Sequence, residues 1–418
     1  AEQYSIGLRN KNLQIGQTVA IMLPTGKEYL FSFFGVLLSG GIPVPIYPPA
    51  NLYQLEDHVK RHVGILQNAQ CSILITVPEA KKIAGLIKAQ VESIHSIISP
   101  QELGLAEGVF VAHQGAENEI AFLQYTSGST GQPKGVTLTH ANLLANIRAM
   151  GEAVDVDSTD VFVSWLPLYH DMGLIGAWFA SLYFSMPLAL MSPLSFLVHP
   201  SRWLWTIANH RGSISAAPNF AFELCLKKIP DEELENLDLS SIRFLFNGAE
   251  PVSARTIKQF STKFSKYGLR SRALAPVYGL AEVAVGLAFP PPDRGPVIDR
   301  INREALVSKG VAIPIVKEKG KQAEYVEDNT VEIVACGQPL PGYQIRIVDS
   351  SGREVPDRQQ GRLEFKGPSA TNGYFRNSKA SKTLFHGEWL DSGDLAYSSE
   401  GDIFLTSRVK DIIIRAGR

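Results

Sequence analysis

Cysteine is scarce in this chain, and neither sign of charge is in excess. Cys71, Cys225 and Cys336 are the three cysteines of 418 residues; they stand too far apart for a metal-ligand pattern, and any disulfide scheme leaves one over. Each is expected to be a small core residue in a reducing cytoplasm. With 40 Lys and Arg against 41 Asp and Glu the formal net charge is −1, which excludes a broad field for nucleic acid or an anionic membrane surface. Any anion must therefore meet a local site. Uninterrupted apolar runs are lacking as well. Met172–Met191 and Tyr29–Leu55 carry no charge, but Pro187 breaks the first, and Gly40-Gly41, Pro43, Pro45 and Pro48-Pro49 break the second. Both read as a helix followed by a strand in a buried core, not as membrane spans.

What is present is a repeating pattern. Short β-prone runs at 18–23, 42–46, 72–76, 120–125, 161–165, 188–191, 213–216 and 242–246 are separated by helix-length segments, as in parallel sheets covered on both faces. After about Val331 the runs crowd together, at 331–335, 343–348, 362–365 and 402–406, with Gly, Asp and Ser between them. The expected fold is α/β: two doubly wound, mainly parallel sheets flanked by helices, plus a smaller antiparallel, barrel-like β subdomain. Approximate subdomains are 1–130, 131–330 and 331–407.

The run Tyr125–Gly135, YTSGSTGQPKG, is built to hold phosphate. Gly128, Gly131 and Gly135 allow backbone N–H groups to turn inward, while Thr126, Ser127, Ser129 and Thr130 offer hydroxyls and Lys134 a mobile positive charge. Neither GxxxxGK[ST] nor GxGxxG fits it, which disfavours P-loop NTPases and Rossmann enzymes.

This run resembles the phosphate-binding loop of the adenylate-forming enzymes, which join a carboxylate to ATP as an acyl-adenylate and release pyrophosphate. Tyr278-Gly-Leu-Ala-Glu282, Asp391-Ser-Gly-Asp394 and Ser407-Arg-Val-Lys-Asp411 resemble the superfamily's other blocks, in order. Ser164–Gly176 (SWLPLYHDMGLIG), Ala217–Ala221 (APNFA) and Asn247–Pro251 (NGAEP) resemble, more narrowly, the fatty acyl-AMP ligases and their acyl-CoA ligase relatives. The resemblance implies ATP and Mg²⁺ as cofactors, a fatty acid as substrate, and an acyl carrier protein or carrier domain as acceptor. It implies that Thr126, Ser127, Gly128, Ser129, Thr130, Gly131 and Lys134 meet the β- and γ-phosphates, that Glu282 holds the metal, and that Tyr278 beside Gly279 stacks on adenine. Asn247, Gly248, Ala249 and Glu250 belong to the same nucleotide site. Asp394 is matched to the ribose hydroxyls and Arg408 to ribose or phosphate. From the residues alone a lone His before an apolar run is more often structural, with Asp171 a suitable helix N-cap; the resemblance instead matches His170 to the carboxylate site at the mouth of the acyl pocket. Ala281 stands where the superfamily often has a threonine. Trp165, Met172, Ile175, Trp178, Phe179, Phe220 and Phe222 offer apolar walls for an acyl chain, though the same pattern suits plain core.

The alternatives are a fatty acyl-CoA ligase, which differs only in its acceptor, and a nucleotide-binding module without catalysis. Two further expectations follow. The resemblance reads residues 1–407 as an adenylation domain and 408–418, with Lys410, as a hinge to a domain that lies outside this chain. The 54 residues between Glu282 and Gly337 exceed the usual acyl-CoA ligase connection; from Pro290-Pro-Pro292, Arg294-Gly-Pro296 and Lys317–Lys321, much of it is expected to be surface loop, with the apolar patch Val311–Val316 docked on the main body.

Overall fold

The computed structural model describes residues 1–48, 55–126, 133–315 and 329–410. Two parallel sheets carry the first two-thirds of the chain. The first is ordered Ile42–Pro45, Thr18–Met22, Ile73–Thr76, Ser96–Ile98. Its inner strands Thr18–Met22 and Ile73–Thr76 are buried at every residue, as expected of strands covered on both faces. The strand with Pro43 and Pro45 lies at the sheet edge, where a missing N–H costs no ladder bond. The second sheet runs Leu274–Pro276, Phe244–Asn247, Ile214–Ala217, Phe162–Ser164, Leu188–Leu190, again all parallel.

The third sheet is antiparallel: Gln344–Val348, Gly361–Lys366, Trp389–Ser399 and Phe385–His386, with Asp402–Arg408 also paired to the long Trp389–Ser399 strand. Bulges at Arg362/Glu364 and Leu395/Ala396 bend and curl it. The expected α/β fold with a curled antiparallel sheet is thus observed. Among the described residues no helix is long and apolar enough to cross a membrane. Cys71, Cys225 and Cys336 are buried and unpaired, and burial pushes the thiols of Cys71 and Cys336 up to about 12.

Two expectations gain detail. The stretch from Met172 opens as a π-helix, Met172–Phe179, before its α-helical continuation Ala180–Tyr183. The segment after Glu282 holds loop at 290–297, as expected, but among its described residues also the strands Gly286–Phe289 and Ile298–Asn302 and the helix Arg303–Lys309, and Ile298–Asn302 pairs with Thr330–Val334. Its apolar residues gained strand partners that local composition did not reveal. The segment does dock. Ile301, Ala312 and Ala335 of the segment are buried with Tyr397 and Phe404 of the third sheet, and Asp299 accepts hydrogen bonds from Arg358 and Tyr397. Within the patch expected to dock, Ala312 is fully buried but Ile313 is 46% exposed, and Val316 lies outside the described residues.

One buried side chain ties the helix His140–Val154 to the strand Gly286–Phe289 and to the segments flanking the third sheet. Asn146 lies on the helix His140–Val154, capped at Thr139 by a reciprocal pair with Asn142. Asn146 Oδ1 accepts from the backbone N–H of Val285 (3.2 Å) and Gly286 (2.9 Å); its Nδ2 donates to the Gly286 carbonyl (2.8 Å), Tyr343 Oη (3.1 Å) and Ser369 Oγ (3.3 Å). Ser369 Oγ donates to the Val283 carbonyl at 2.6 Å. Replacing Asn146 with Ala strands three backbone groups in a dry interior, each worth about 1–3 kcal/mol. We expect Asn146→Ala to lower unfolding free energy by about 3 kcal/mol or more, read from urea midpoints at unchanged slope. A loss below about 1 kcal/mol would mean that water replaces the amide.

Candidate active site

The second sheet supplies the frame. Strand Phe162–Ser164 has Leu188–Leu190 on one side and Ile214–Ala217 on the other, so the chain reverses its direction of progress across the sheet there. Such a switch point opens a crevice at the carboxyl ends of the strands, the usual ligand site of open α/β sheets. The segments leaving those ends are Trp165–Asp171, Pro218–Phe220, Gly248–Glu250 and Val277–Glu282. Four of the motifs read from the sequence therefore converge on one edge.

Glu282 sits in a short 3₁₀ turn, Ala281–Val283, reached through the two-residue strand Tyr278–Gly279. That strand needs glycine: a Cβ on Gly279 would lie 1.7 Å from the Val285 carbonyl oxygen. The Glu282 backbone carbonyl accepts from Thr371 N at 2.8 Å, and its carboxylate Oε1 accepts from Tyr374 Oη at 2.7 Å. Burial raises the Glu282 carboxyl above its ordinary range, opposed by the Tyr374 hydrogen bond and by Lys134. Lys134 opens the strand Lys134–Thr139, whose partner across the hairpin is Thr126 at the end of Ile120–Thr126. The Lys134 ammonium lies over the Tyr374 ring, 4.6 Å from its centre. Lys134, Tyr374 and Glu282 thus form a continuous set. Ser127, Gly128, Ser129, Thr130 and Gly131 lie outside the described residues.

The nucleotide candidates form a second set. Tyr278 is buried, and its hydroxyl donates to Asp394 Oδ2 at 2.5 Å; burial first, then the Asp394 charge, raise that phenol. Asp394 pairs across the third sheet with Arg408, whose Nε is 3.5 Å from Asp394 Oδ1. Asn247 ends its strand fully buried; its Nδ2 donates to Asn219 Oδ1 at 3.4 Å, and its Oδ1 has no hydrogen-bond partner among the described residues. Ala249 and Glu250 are exposed, Ala249 in the left-handed region at φ 65°. The Glu250 carboxylate accepts from the Phe220 N–H at 2.5 Å, at the start of helix Asn219–Lys228, where a negative charge also offsets the helix dipole.

His170 stands at the mouth of the crevice with its side chain about half exposed. Its Nδ1 lies 2.7 Å from Asp171 Oδ1, and the Asp171 carboxylate accepts from Met172 N at 2.7 Å. Asp171 therefore caps the π-helix as the sequence suggested, and it holds His170 as well. The backbone just before His170 is clamped by Tyr29 Oη on the Leu168 carbonyl (2.7 Å) and Gln124 Nε2 on the Tyr169 carbonyl (3.2 Å). A Cβ on Gly173 would lie 2.4 Å from the Pro167 carbonyl oxygen, so helix and turn pack backbone to backbone. Of the apolar residues offered as pocket walls, Ile175, Trp178 and Phe179 pack into the core with Phe33, and Trp165 and Phe222 into that of the second sheet. Met172 is half-buried and Phe220 is exposed, its ring 6.0 Å from Trp165.

The profile of the AMP-binding enzyme family matches residues 1–375. A medium-chain-fatty-acid–[acyl-carrier-protein] ligase of Moorena producens is 32% identical over 421 residues, covering 98% of this chain and 70% of that protein. A 4-hydroxyphenylalkanoate adenylyltransferase of Mycobacterium marinum is 34% identical over 425 residues, covering 96% of this chain and 66% of that protein. Among solved structures, one from a study of fatty acyl-adenylate ligases of E. coli and L. pneumophila superposes with a TM-score of 0.93 at 32% identity, covering 100% of this chain and 74% of that one.

The charge beside His170 gives a test. The Asp171 charge outweighs desolvation and raises the imidazole above its ordinary value. The stability from this pair is therefore full below the ordinary histidine pKa and disappears as pH rises through the raised one. In a nuclear magnetic resonance titration the His170 midpoint should lie above the usual histidine value and fall in Asp171→Asn. An unmoved midpoint would show that the pair does not persist in solution.

Proposed function

This chain belongs to the AMP-binding enzyme family, and we propose that it activates a fatty acid with ATP for transfer to an acyl carrier protein. In the first step a carboxylate oxygen attacks the α-phosphorus, an acyl O–P bond forms, and the bond to the β-phosphate breaks with loss of pyrophosphate. In the second, the carrier's phosphopantetheine sulfur attacks the acyl carbon and AMP leaves. Catalysis of such displacements is mostly positioning and charge stabilisation. The observation that carries the reading is the Lys134–Tyr374–Glu282 set on the same face of the molecule as the crevice of the second sheet.

On this reading Lys134, with Thr126 and Ser127–Gly131, meets the triphosphate. Tyr278 borders adenine, with Asn247–Glu250 and Gly279 around it; the orphaned Asn247 Oδ1 suits an amino group as donor. Asp394 and Arg408 face the ribose and its phosphate, and residues 408–418 act as a hinge. His170 faces the fatty carboxylate. Glu282 suits a Mg²⁺ site: the Tyr374 hydroxyl engages one carboxylate oxygen, Oε1, and among the described residues no group of three or more His, Cys, Asp or Glu could hold a metal. That fits a hard cation bound through one carboxylate and phosphate oxygens. Mg²⁺ bound there supplies charge neutralisation on the polyphosphate. The buried free thiols accord with a cytoplasmic protein.

Lys134→Ala and Glu282→Ala should each lower fatty-acid-dependent ATP–pyrophosphate exchange at least about tenfold, since each removes a full charge from the polyphosphate site. Unchanged exchange in folded protein would remove both assignments. Titrating the two candidate acceptors separates carrier-protein ligase from acyl-CoA ligase.

The docked segment after Glu282 bears on that choice, because it fixes chain beside the strand that ends at Arg408. Deleting 303–328 with a short closing turn should raise acyl-CoA formation about tenfold, a population shift of about 1.4 kcal/mol, and leave acyl-adenylate formation intact. Efficient acyl-CoA formation by the parent would instead identify an acyl-CoA ligase.

A further inference from the structure

Tyr374 belongs to none of the motifs that point to the site, yet it touches both charged residues at its centre. The hydroxyl donates to Glu282 Oε1 at 2.7 Å and the ring lies 4.6 Å from the Lys134 ammonium. The side chain is 8% exposed. Its backbone is held from two directions. Tyr374 forms a bridge with Val136, Phe375 N donates to the Gly135 carbonyl at 2.7 Å, and Tyr374 N donates to Ser381 Oγ at 2.9 Å. Thr371 Oγ1 adds a bond to the Thr137 carbonyl at 2.6 Å. The segment carrying Tyr374 is thus stitched to the strand that begins at Lys134, and through Thr371 N to the Glu282 backbone.

A ring in this position would serve a packed core without its hydroxyl. The hydroxyl is what needs explaining, since it is spent on one oxygen of a carboxylate that burial already disfavours. A lysine on a four-carbon stem and a glutamate with three rotatable bonds would each lose freedom on meeting a ligand. A rigid group that fixes both beforehand removes that cost.

We propose that Tyr374 is a positioning residue of the polyphosphate and metal site, its ring setting the Lys134 ammonium and its hydroxyl turning the other oxygen of Glu282 toward the cation. The inference rests on the functional reading above. It divides the side chain into two separable halves: the hydroxyl governs cation binding, and the ring governs the lysine.

The test uses Mn²⁺ in place of Mg²⁺, followed by electron paramagnetic resonance in the presence of ATP, together with calorimetric titration of ATP in a chelator. Tyr374→Phe should weaken Mn²⁺ affinity about tenfold, the worth of one hydrogen bond to a charged group, while metal-free ATP affinity stays within about twofold. Tyr374→Leu should weaken both. In a Glu282→Gln background Tyr374→Phe should have no further effect on Mn²⁺ affinity, because the charged acceptor is already gone. Mn²⁺ affinity unchanged in Tyr374→Phe, or falling in step with metal-free ATP affinity, overturns the inference while leaving the functional reading in place. Absence of any metal-dependent ATP binding by the parent chain overturns that reading and this inference together.

Discussion

One buried amide fixes how the helix His140–Val154, the hairpin after Glu282 and the connections of the third sheet sit together. These elements come from distant parts of the chain and must be held in fixed relation for Lys134, Glu282 and Tyr374 to stay together, and apolar packing alone is tolerant of small slides. Asn146 removes that tolerance. Its carboxamide is satisfied on both sides by the hairpin after Glu282 and by Tyr343 and Ser369 of the third sheet's connections. A shift of either partner would strand buried polar groups. The Ser369 bond to the Val283 carbonyl and the Thr371 bond to the Glu282 carbonyl carry the same constraint to the residue next to the chemistry.

That rigidity permits an unfavourable arrangement at the site. A carboxylate as enclosed as that of Glu282 resists ionisation, and desolvation is the largest influence upon it. What favours the ion is local: a hydroxyl at 2.7 Å and an ammonium across the same ring. Such a group is poised to gain from a cation, whereas in water it would gain little. The π-helix after Asp171 belongs to the same pattern, for wide-turn helical segments are uncommon and recur at functional sites. Here it opens between a capping aspartate and a core of aromatic rings.

Much of this was legible in the sequence, and the misses share a physical cause. The apolar runs of the two parallel sheets were readable because strands buried on both faces declare themselves by composition, as Val19–Met22 and Ile73–Ile75 do. Lys134–Thr139 was passed over because its polar residues and preceding glycines look like loop; only its partner across the hairpin makes it a strand. Tyr278–Gly279 is too short for any periodicity to register, and Ile298–Asn302 pairs with a strand 28 residues onward. Asn146 did leave a signal, a polar residue amid Leu143, Ile147 and Met150 on one helix face, all of them buried. Tyr374 left almost none, since an aromatic after glycine reads as core until its hydroxyl is seen against Glu282.

The two halves of the site differ in how they are held, and that difference bears on how the enzyme works. Lys134, Tyr374 and Glu282 are tied to the rigid centre through Asn146, Ser369 and Thr371. Asp394 lies on the long inner strand Trp389–Ser399 of the third sheet and Arg408 at the end of its neighbour Asp402–Arg408, where Arg408 is exposed, 3.5 Å from its acid. Tyr278 Oη donates to Asp394 Oδ2 and so ties the strand bearing Asp394 to the segment that leads to Glu282. On the proposed reading, a nucleotide spanning them would join its phosphates to the fixed half and its ribose to Asp394 and Arg408. Its ribose would then hold the exposed end of the strand Asp402–Arg408 to the Tyr278 segment, so that nucleotide occupancy and the position of that strand end depend on one another.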